Sequence, residues 1–459
     1  MVIYLFNPEH DMALASFSQY YKSPAEIMRM RDDLSALPLW YAERGGLVLV
    51  SSEAYAVLFG EQCVVGNVVP YGCCAVVTGL SPVAVAGSSS VVATYNDSAG
   101  SCCPWGWDPA LVHWLSGLSS GSTDLKSILS VKGISSVAFK CADSLMGNAG
   151  GSAPSVAIAL PTSAQLERIR TLSGRLQCVP LLESFGGMFG FCGEAHVCRS
   201  LDDVRAFLSL HEDVILKAPW SGSGRGLTRT SESTWTSNLE GWVARILRTQ
   251  GSIMAEPIYN KVYDFAMEFY MDASHSLSFA GYSLFETDSH GNYKANVLTS
   301  NERIVEKLTE FVPLSHLEIV KEHLLHSLSV LLGVDYEGYL GVDMMICEEP
   351  HESRLHGTSE ERTKLYNIHP CVEINLRMNM GVVARLFYDR YVDAGSIGSY
   401  IVEHYSQDGE ALEHDQFLRA AHPQKTKNGR ISSGYFSLTP VQSTTRYQCY
   451  VLCNRFNED

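Results

Sequence analysis

Three stretches of this sequence place reactive residue types at spacings that suit phosphate and metal chemistry. The first is Lys217-Ala-Pro-Trp-Ser-Gly-Ser-Gly-Arg-Gly226, where a lysine ends the apolar run Val214-Ile-Leu and a glycine loop follows. Gly222, Gly224 and Gly226 let the backbone come close to a polyanion, and successive N–H groups can form an anion-holding nest. Lys217 adds a compact point charge for a phosphate. No G-x-x-x-x-G-K-[ST] is present, so this is not a P-loop, and the loop does not open a helix as a dinucleotide fingerprint does. Taken alone, such a loop is more often a plain flexible hairpin.

The second stretch pairs Asp343, in Gly-Tyr-Leu-Gly-Val-Asp-Met-Met, with Glu373 and Asn375, in Val-Glu-Ile-Asn-Leu-Arg. Side chains alternate along a strand, so Glu373 and Asn375 share one face while Ile374 takes the other. Two carboxylates and an amide carbonyl are hard oxygen ligands of the kind Mg²⁺ takes together with phosphate oxygens. Arg377 continues that face and has the planar fork that holds a carboxylate or a transferring phosphoryl group. For either acid alone, an ion pair with Arg or Lys at a sheet edge is the better reading. An acid inside an apolar strand is costly without a partner, however, and two such strands occur here. The third stretch is Met254-Ala-Glu-Pro-Ile-Tyr259. Pro257 has no N–H, which frees a neighbouring carbonyl. The Glu256 carbonyl and the Tyr259 N–H could then read an adenine edge.

The elements that must carry these residues are mostly strands. Residues 214–217, 252–256, 265–271, 277–284, 339–346 and 370–375 have strand character, the third and fourth as a pair, and 348–364 reads as a polar hairpin loop. Residues 202–210 and 317–332 have helical periodicity, with Ser200 as the N-cap of the first. Before residue 125 the pattern alternates. Residues 1–6, 46–50, 63–65 and 91–93 read as strands and 25–30 as a helix, which predicts an α/β layer. Gly/Ser-rich breaks at 117–123 and 147–152 punctuate the chain, the second within a stretch, 125–175, that reads as helices. Asn7-Pro-Glu-His-Asp11 follows the first strand, where open α/β sheets place ligand loops, although a capping loop fits as well. Pro104-Trp-Gly-Trp-Asp108 is read as core packing.

The order of these motifs resembles the ATP-grasp superfamily over roughly residues 125–390. The resemblance implies α/β and α+β layers, that is, an ATP-grasp fold preceded by an N-terminal α/β (pre-ATP-grasp) domain at 1–125. A helical region would follow at 126–177, a lid subdomain at 178–260, and a C-terminal subdomain with the metal site and tail at 261–459. It implies ATP and Mg²⁺, or Mn²⁺, as cofactors. Asp343, Glu373 and Asn375 would hold the metal. Lys217 would contact phosphates and Ser221, Gly222, Ser223, Gly224, Arg225 and Gly226 would close over them. Glu256 and Tyr259 would bind adenine and Asp264 the ribose. A second phosphate lysine is expected at Lys132, with Lys140 as the alternative. Arg377 and Lys217 would act on the reacting groups.

Three functions fit this set. One is a carboxylate–amine ligase working through an acyl-phosphate, one a kinase acting on a hydroxyl, and one a nucleotide-binding module without turnover. The four residues Asp343, Glu373, Asn375 and Arg377 together argue against the last, since a pure binder has no need of all of them. Bulk properties narrow the setting. With 46% hydrophobic and 18% charged residues the chain is globular, and at 459 residues it needs several subdomains. A net charge of −16 speaks against nucleic acid as a partner. The expected partners are small-molecule carboxylate and amine substrates, with the oligomeric state open. No apolar run reaches the ~18 residues of a membrane span, and the start lacks a signal-peptide pattern. Thirteen cysteines without any C-x-x-C, and histidines without H-x-x-x-H, argue for a reducing, cytoplasmic setting and against a zinc site.

Overall fold

The computed structural model describes residues 2–43, 46–51, 73–78, 81–84, 101–120, 159–221, 226–287, 293–349 and 365–456. The chain divides into two units. One comprises Met1–Leu166, Val297–Thr299 and Leu386–Asp459, the other Glu167–Asn296 and Ser300–Arg385. The strand segments expected at 63–65 and 91–93, and most of the 348–364 loop, lie outside the described residues.

The first unit begins with β1 (Val2–Leu5), β2 (Gly46–Val50), β3 (Cys73–Thr78), β4 (Ser81–Ala84) and β5 (Ser101–Pro104), in the order β4-β3-β2-β1-β5. β1 runs parallel to both β2 and β5, and β2 runs parallel to β3. Parallel pairing needs crossovers, and helices such as Ala25–Asp33 supply them. Ile3, Leu5, Cys102, Leu111 and Leu115 form a core beneath the sheet. Asn7-Pro-Glu-His and Trp-Gly-Trp-Asp108 meet at the carboxyl ends of β1 and β5. Asn7 Nδ2 donates to the Gly106 carbonyl at 2.8 Å, and Asp108 Oδ1 accepts from Ala110 and Leu111 N–H, capping the helix Pro109–Ser120. Trp105 is buried, as expected of a core residue.

The second unit holds two sheets. The smaller contains β6 (His196–Cys198), β7 (Val214–Lys217), β8 (Leu227–Thr230) and β9 (Ile253–Pro257), in the order β6-β9-β7-β8. The helices Leu201–Leu208 and Ser237–Gln250 bury Val204, Phe207, Val243 and Ile246 with Val214, Leu216 and Ile253 of this sheet. Ser200 caps the first helix through a reciprocal bond pair with Asp203. The larger sheet contains β10 (Lys261–Met271), β11 (Leu277–Thr287), β12 (Tyr293–Leu298), β13 (Gly338–Glu348) and β14 (Tyr366–Asn375), in the order β14-β13-β10-β11-β12. All neighbouring pairs in this set are antiparallel. Between Asp343 and Met345 the β13–β14 register slips: Asp343 faces Glu373, whereas Met345 faces His369. Pro370 lies in the slipped stretch and cannot donate to the ladder, which accounts for a bulge there.

The chain returns to the first unit with β15 (Ser396–His404), β16 (Lys425–Lys427), β17 (Arg430–Ser437) and β18 (Tyr447–Arg455), in the order β15-β18-β17-β16. These strands belong with the N-terminal residues because both ends of the chain share buried polar bonds. Trp40 Nε1 donates to the Leu438 carbonyl at 2.6 Å, and Asp33 Oδ2 accepts from the Arg446 and Tyr447 N–H groups. Among the described residues no helix is long and apolar enough to cross a membrane.

Candidate functional site

The larger sheet of the second unit gathers the acids. Asp343 stands opposite Ala266 on β10 and opposite Glu373 on β14; Gly341 stands opposite Glu268 and Asn375. Directly opposed residues share a face, so Asp264, Glu268, Asp343, Glu373 and Asn375 all belong to one face. The sequence reading brings Asp343, Glu373 and Asn375 together here. Asn375 Nδ2 donates to Asp343 Oδ2 at 3.0 Å, leaving the amide oxygen for another partner. Burial, and then the charge of Glu373, push the Asp343 carboxyl up to about 7. A cation between these two acids would reverse that pressure.

Two residues that the sequence reading passed over complete this face. Glu268 is buried in β10, and burial above all pushes its carboxyl up to about 8. Asn379 Nδ2 donates to its Oε2 at 3.0 Å, and Ser283 is its other hydrogen-bond partner. Gly341 and Gly381 flank the carboxyl so closely that a Cβ on either would collide with its oxygens. Asn379 Oδ1 also accepts from Val382 N–H at the start of the helix Met380–Tyr391, directly after Arg377. An acid in the apolar run Phe-Ala-Met-Glu-Phe is the signal that singled out Asp343, and it applies equally to Glu268.

The second is Arg175, in a single 3₁₀ turn, Arg175–Gln177, and 4% exposed. Its Nη2 lies 2.7 Å from Glu373 Oε1. Its Nη1 donates to the Ala218 carbonyl at 2.7 Å and to Ser221 Oγ at 2.5 Å, and Nη2 reaches the Ser221 carbonyl at 3.3 Å. One guanidinium therefore ties the stem of the glycine loop to a candidate metal ligand. The stem is closed further by the Ala218 N–H to Gly226 carbonyl bond at 2.8 Å. Gly222, Ser223, Gly224 and Arg225 lie outside the described residues, as do Lys132 and Lys140.

Lys217 ends β7, and its Nζ sits 2.5 Å from Glu256 Oε2 on β9, with both residues buried. Antiparallel register places Lys217 opposite Met254, so Glu256 is its diagonal neighbour. The Tyr259 ring meets the His369 ring edge-on at 5.4 Å. Asp264 is paired with Lys261 and accepts from Thr287 Oγ1 at 3.1 Å. Arg377 Nη1 reaches the Met378 carbonyl at 3.3 Å. Among the described residues no three His, Cys, Asp or Glu side chains stand close enough to hold a metal by themselves. Two facing carboxylates with an amide oxygen do match the incomplete, all-oxygen set that Mg²⁺ accepts when phosphates supply the rest.

No family model matches the chain, and no curated protein matches its sequence. Solved structures do show likeness. N5-carboxyaminoimidazole synthetase from Staphylococcus aureus complexed with ADP is 13% identical, over 66% of this chain and 71% of that one, with a TM-score of 0.39. The biotin carboxylase from Campylobacter jejuni, in a β,γ-ATP complex, is 10% identical over 99% of this chain and 88% of that one, with a TM-score of 0.45. N5-carboxyaminoimidazole ribonucleotide synthetase from Thermus thermophilus is 12% identical over 100% and 94%, with a TM-score of 0.41. The chain's similarity to all three is a distant structural one.

Proposed function

We propose that the chain is a Mg-ATP-dependent ligase of the ATP-grasp type. In this reading ATP phosphorylates a carboxylate substrate, and an amine or similar nucleophile displaces the phosphate, releasing ADP and phosphate. The observation that carries it is Arg175, whose one guanidinium bonds both Ser221, at the start of the glycine loop, and Glu373, opposite Asp343.

Glu373, Asp343 and the Asn375 amide oxygen would hold the metal. Mg²⁺ held there would supply charge neutralisation on the phosphates. The chain's own residues do the rest. Lys217 exchanges Glu256 for a phosphate oxygen, and Arg175 exchanges Glu373 for another. The loop from Ser221 to Gly226 covers the phosphates and excludes water from a reactive acyl-phosphate. Glu256 and Tyr259 would present backbone groups to adenine, and Asp264 would meet the ribose. Arg377 holds the carboxylate in line with the γ-phosphorus, so that positioning and charge stabilisation lower the barrier.

A hydroxylamine trap tests this with a panel of amino acids and small acids. Hydroxamate formed in step with ADP supports it. A stable phosphate ester without hydroxamate moves the assignment to the kinase reading, and release of AMP overturns the proposed arrangement.

A further inference from the structure

Two pairs of thiols lie together in the second unit. Cys347, in β13, has the Cys192 side chain as its hydrogen-bond partner, and Cys371, in β14, has that of Cys178. These contacts, with burial added, hold the Cys347 and Cys371 thiols well above the ordinary range, so both stay protonated. The pairs differ in exposure. Cys178 and Cys371 are both buried, between the helix Cys178–Ser184 and the strand it packs on. Cys192 is partly exposed, while its partner Cys347 is buried.

The backbone explains why Cys192 meets Cys347. Met345 and His369 are directly opposed and share a face, and Cys347, two residues past Met345, takes the same face. Residues 190–193 run along the edge of β14 and then onto that face. Cys192 N–H donates to the Ile368 carbonyl and Ile368 N–H to the Gly190 carbonyl, each at 2.9 Å. Gly193 lies so close to His369 that a Cβ there would stand 3.0 Å from Nε2. Phe191 packs on Phe185 and His316, with ring centroids 5.0 and 5.3 Å apart. Cys192 is therefore held between two anchored neighbours, beside the face that carries Cys347. The residues just before, 186–189, are exposed, Phe189 at 85%.

We infer that Cys192 and Cys347 form a peroxide-sensitive dithiol, whose disulfide latches residues 186–193 to β13. Cys192, the more exposed sulfur, meets the oxidant first. Its sulfur attacks one oxygen of hydrogen peroxide, the O–O bond breaks, and the departing hydroxide takes the thiol proton as water. Cys192 is then a sulfenic acid, which condenses with a nearby thiol. The Cys347 sulfur attacks the Cys192 sulfur. The S–S bond forms, the S–O bond breaks, and a second water leaves with the Cys347 proton. Two thiols and one peroxide thus give one disulfide and two waters; the sulfurs are oxidised and the peroxide oxygens reduced. A dithiol reductant reverses the change by exchange. Sulfurs already in contact need little backbone movement to bond. None of this depends on the nucleotide reading.

The test treats the full chain with hydrogen peroxide, alkylates the remaining thiols after unfolding, and maps disulfides by mass spectrometry without reduction. A Cys192–Cys347 link is expected, with Cys178 and Cys371 recovered as alkylated thiols. Chymotryptic cleavage at Phe189 should slow about tenfold in the oxidised protein and recover with dithiothreitol, because cleavage needs local opening of the latched segment. Cys347→Ser lacks the second thiol and should accumulate Cys192 sulfenic acid, trapped by dimedone. Absence of the Cys192–Cys347 link, or a Cys178–Cys371 link in its place, overturns the proposal. So does unchanged cleavage at Phe189 in protein that carries the link. If Cys347→Ser does not fold, the wild-type disulfide map and cleavage rates decide by themselves.

Discussion

Arg175 Nη2 and Glu373 Oε1 stand 2.7 Å apart, and the same guanidinium grips Ser221. In this arrangement the cation of the loop stem and the acid of the metal face satisfy each other. A nucleotide–metal pair would offer each a new partner of the right charge: phosphate oxygen for Arg175 and metal for Glu373. The Lys217–Glu256 pair repeats the pattern on the neighbouring sheet.

Arg175→Gln should therefore cost both stability and nucleotide affinity. The Ala218 carbonyl and Ser221 lose a charged donor and Glu373 loses its cation, for about 2 kcal/mol of stability. ATP affinity should fall about tenfold or more, from one lost charged contact to phosphate. Thermal melts and calorimetry on the same samples separate the two. A lowered melting temperature with unchanged ATP affinity would make Arg175 a structural clasp alone.

Glu373→Gln keeps an oxygen for Arg175 and keeps the shape, while removing the charge a metal needs. Melting temperature should fall by less than in Arg175→Gln, because the amide oxygen still accepts from the guanidinium. ADP formation should drop about a hundredfold or more, the scale of removing one transition-state electrostatic contact. A large loss of thermal stability with turnover retained would instead identify Glu373 as half of a structural ion pair.

Nucleotide binding should need a divalent ion. In the presence of Mg²⁺ or Mn²⁺, ATP at ~100 times its Kd should stabilise the fold by about 2.7 kcal/mol. Chelating the metal should remove most of that gain, because Asp343 and Glu373 would then face the phosphates as bare acids. Thermal shift with and without chelator measures it. ATP stabilisation that ignores chelator would argue against these ligands.

Part of this candidate site was legible in the sequence, for a physical reason. Asp343 and Glu373 interrupt apolar strands, and an acid in such a place announces a partner. Glu268 carries the same signal, yet its partners Asn379 and Ser283 are remote in sequence, and nothing local marks the cradle formed by Gly341 and Gly381. Arg175 was illegible because its meaning lies in Ser221 and Glu373, which only folding brings to it. The slip at Pro370 was likewise hidden. A two-residue alternation predicts which face a side chain takes, but not where the register shifts. Ser200 as a cap and the β10–β11 pairing were legible because both depend on residues near in sequence.

Glu268 makes the last prediction, in the dependence of stability on pH. Its carboxyl titrates near 4.5 in the unfolded chain and at about 8 when folded. Below the lower value both states hold the proton, and Glu268 contributes no pH dependence. Between the two values the unfolded chain loses the proton while the folded protein keeps it. The folded state then binds more protons, so stability falls as pH rises, by up to about 1.4 kcal/mol per pH unit. Above about 8 both states are ionised and the slope ends. Asp343 contributes a slope of the same sign over its own window, its carboxyl being raised from 3.8 to about 7. Glu268→Gln removes one contribution and leaves the other. The variant should melt progressively higher than wild type as pH rises from about 4.5 to about 8, because it carries no charge to bury. Melting curves at a series of pH values decide the matter: parallel profiles for the two proteins would mean that Glu268 is ionised in the fold, held by Asn379 and Ser283 as a carboxylate.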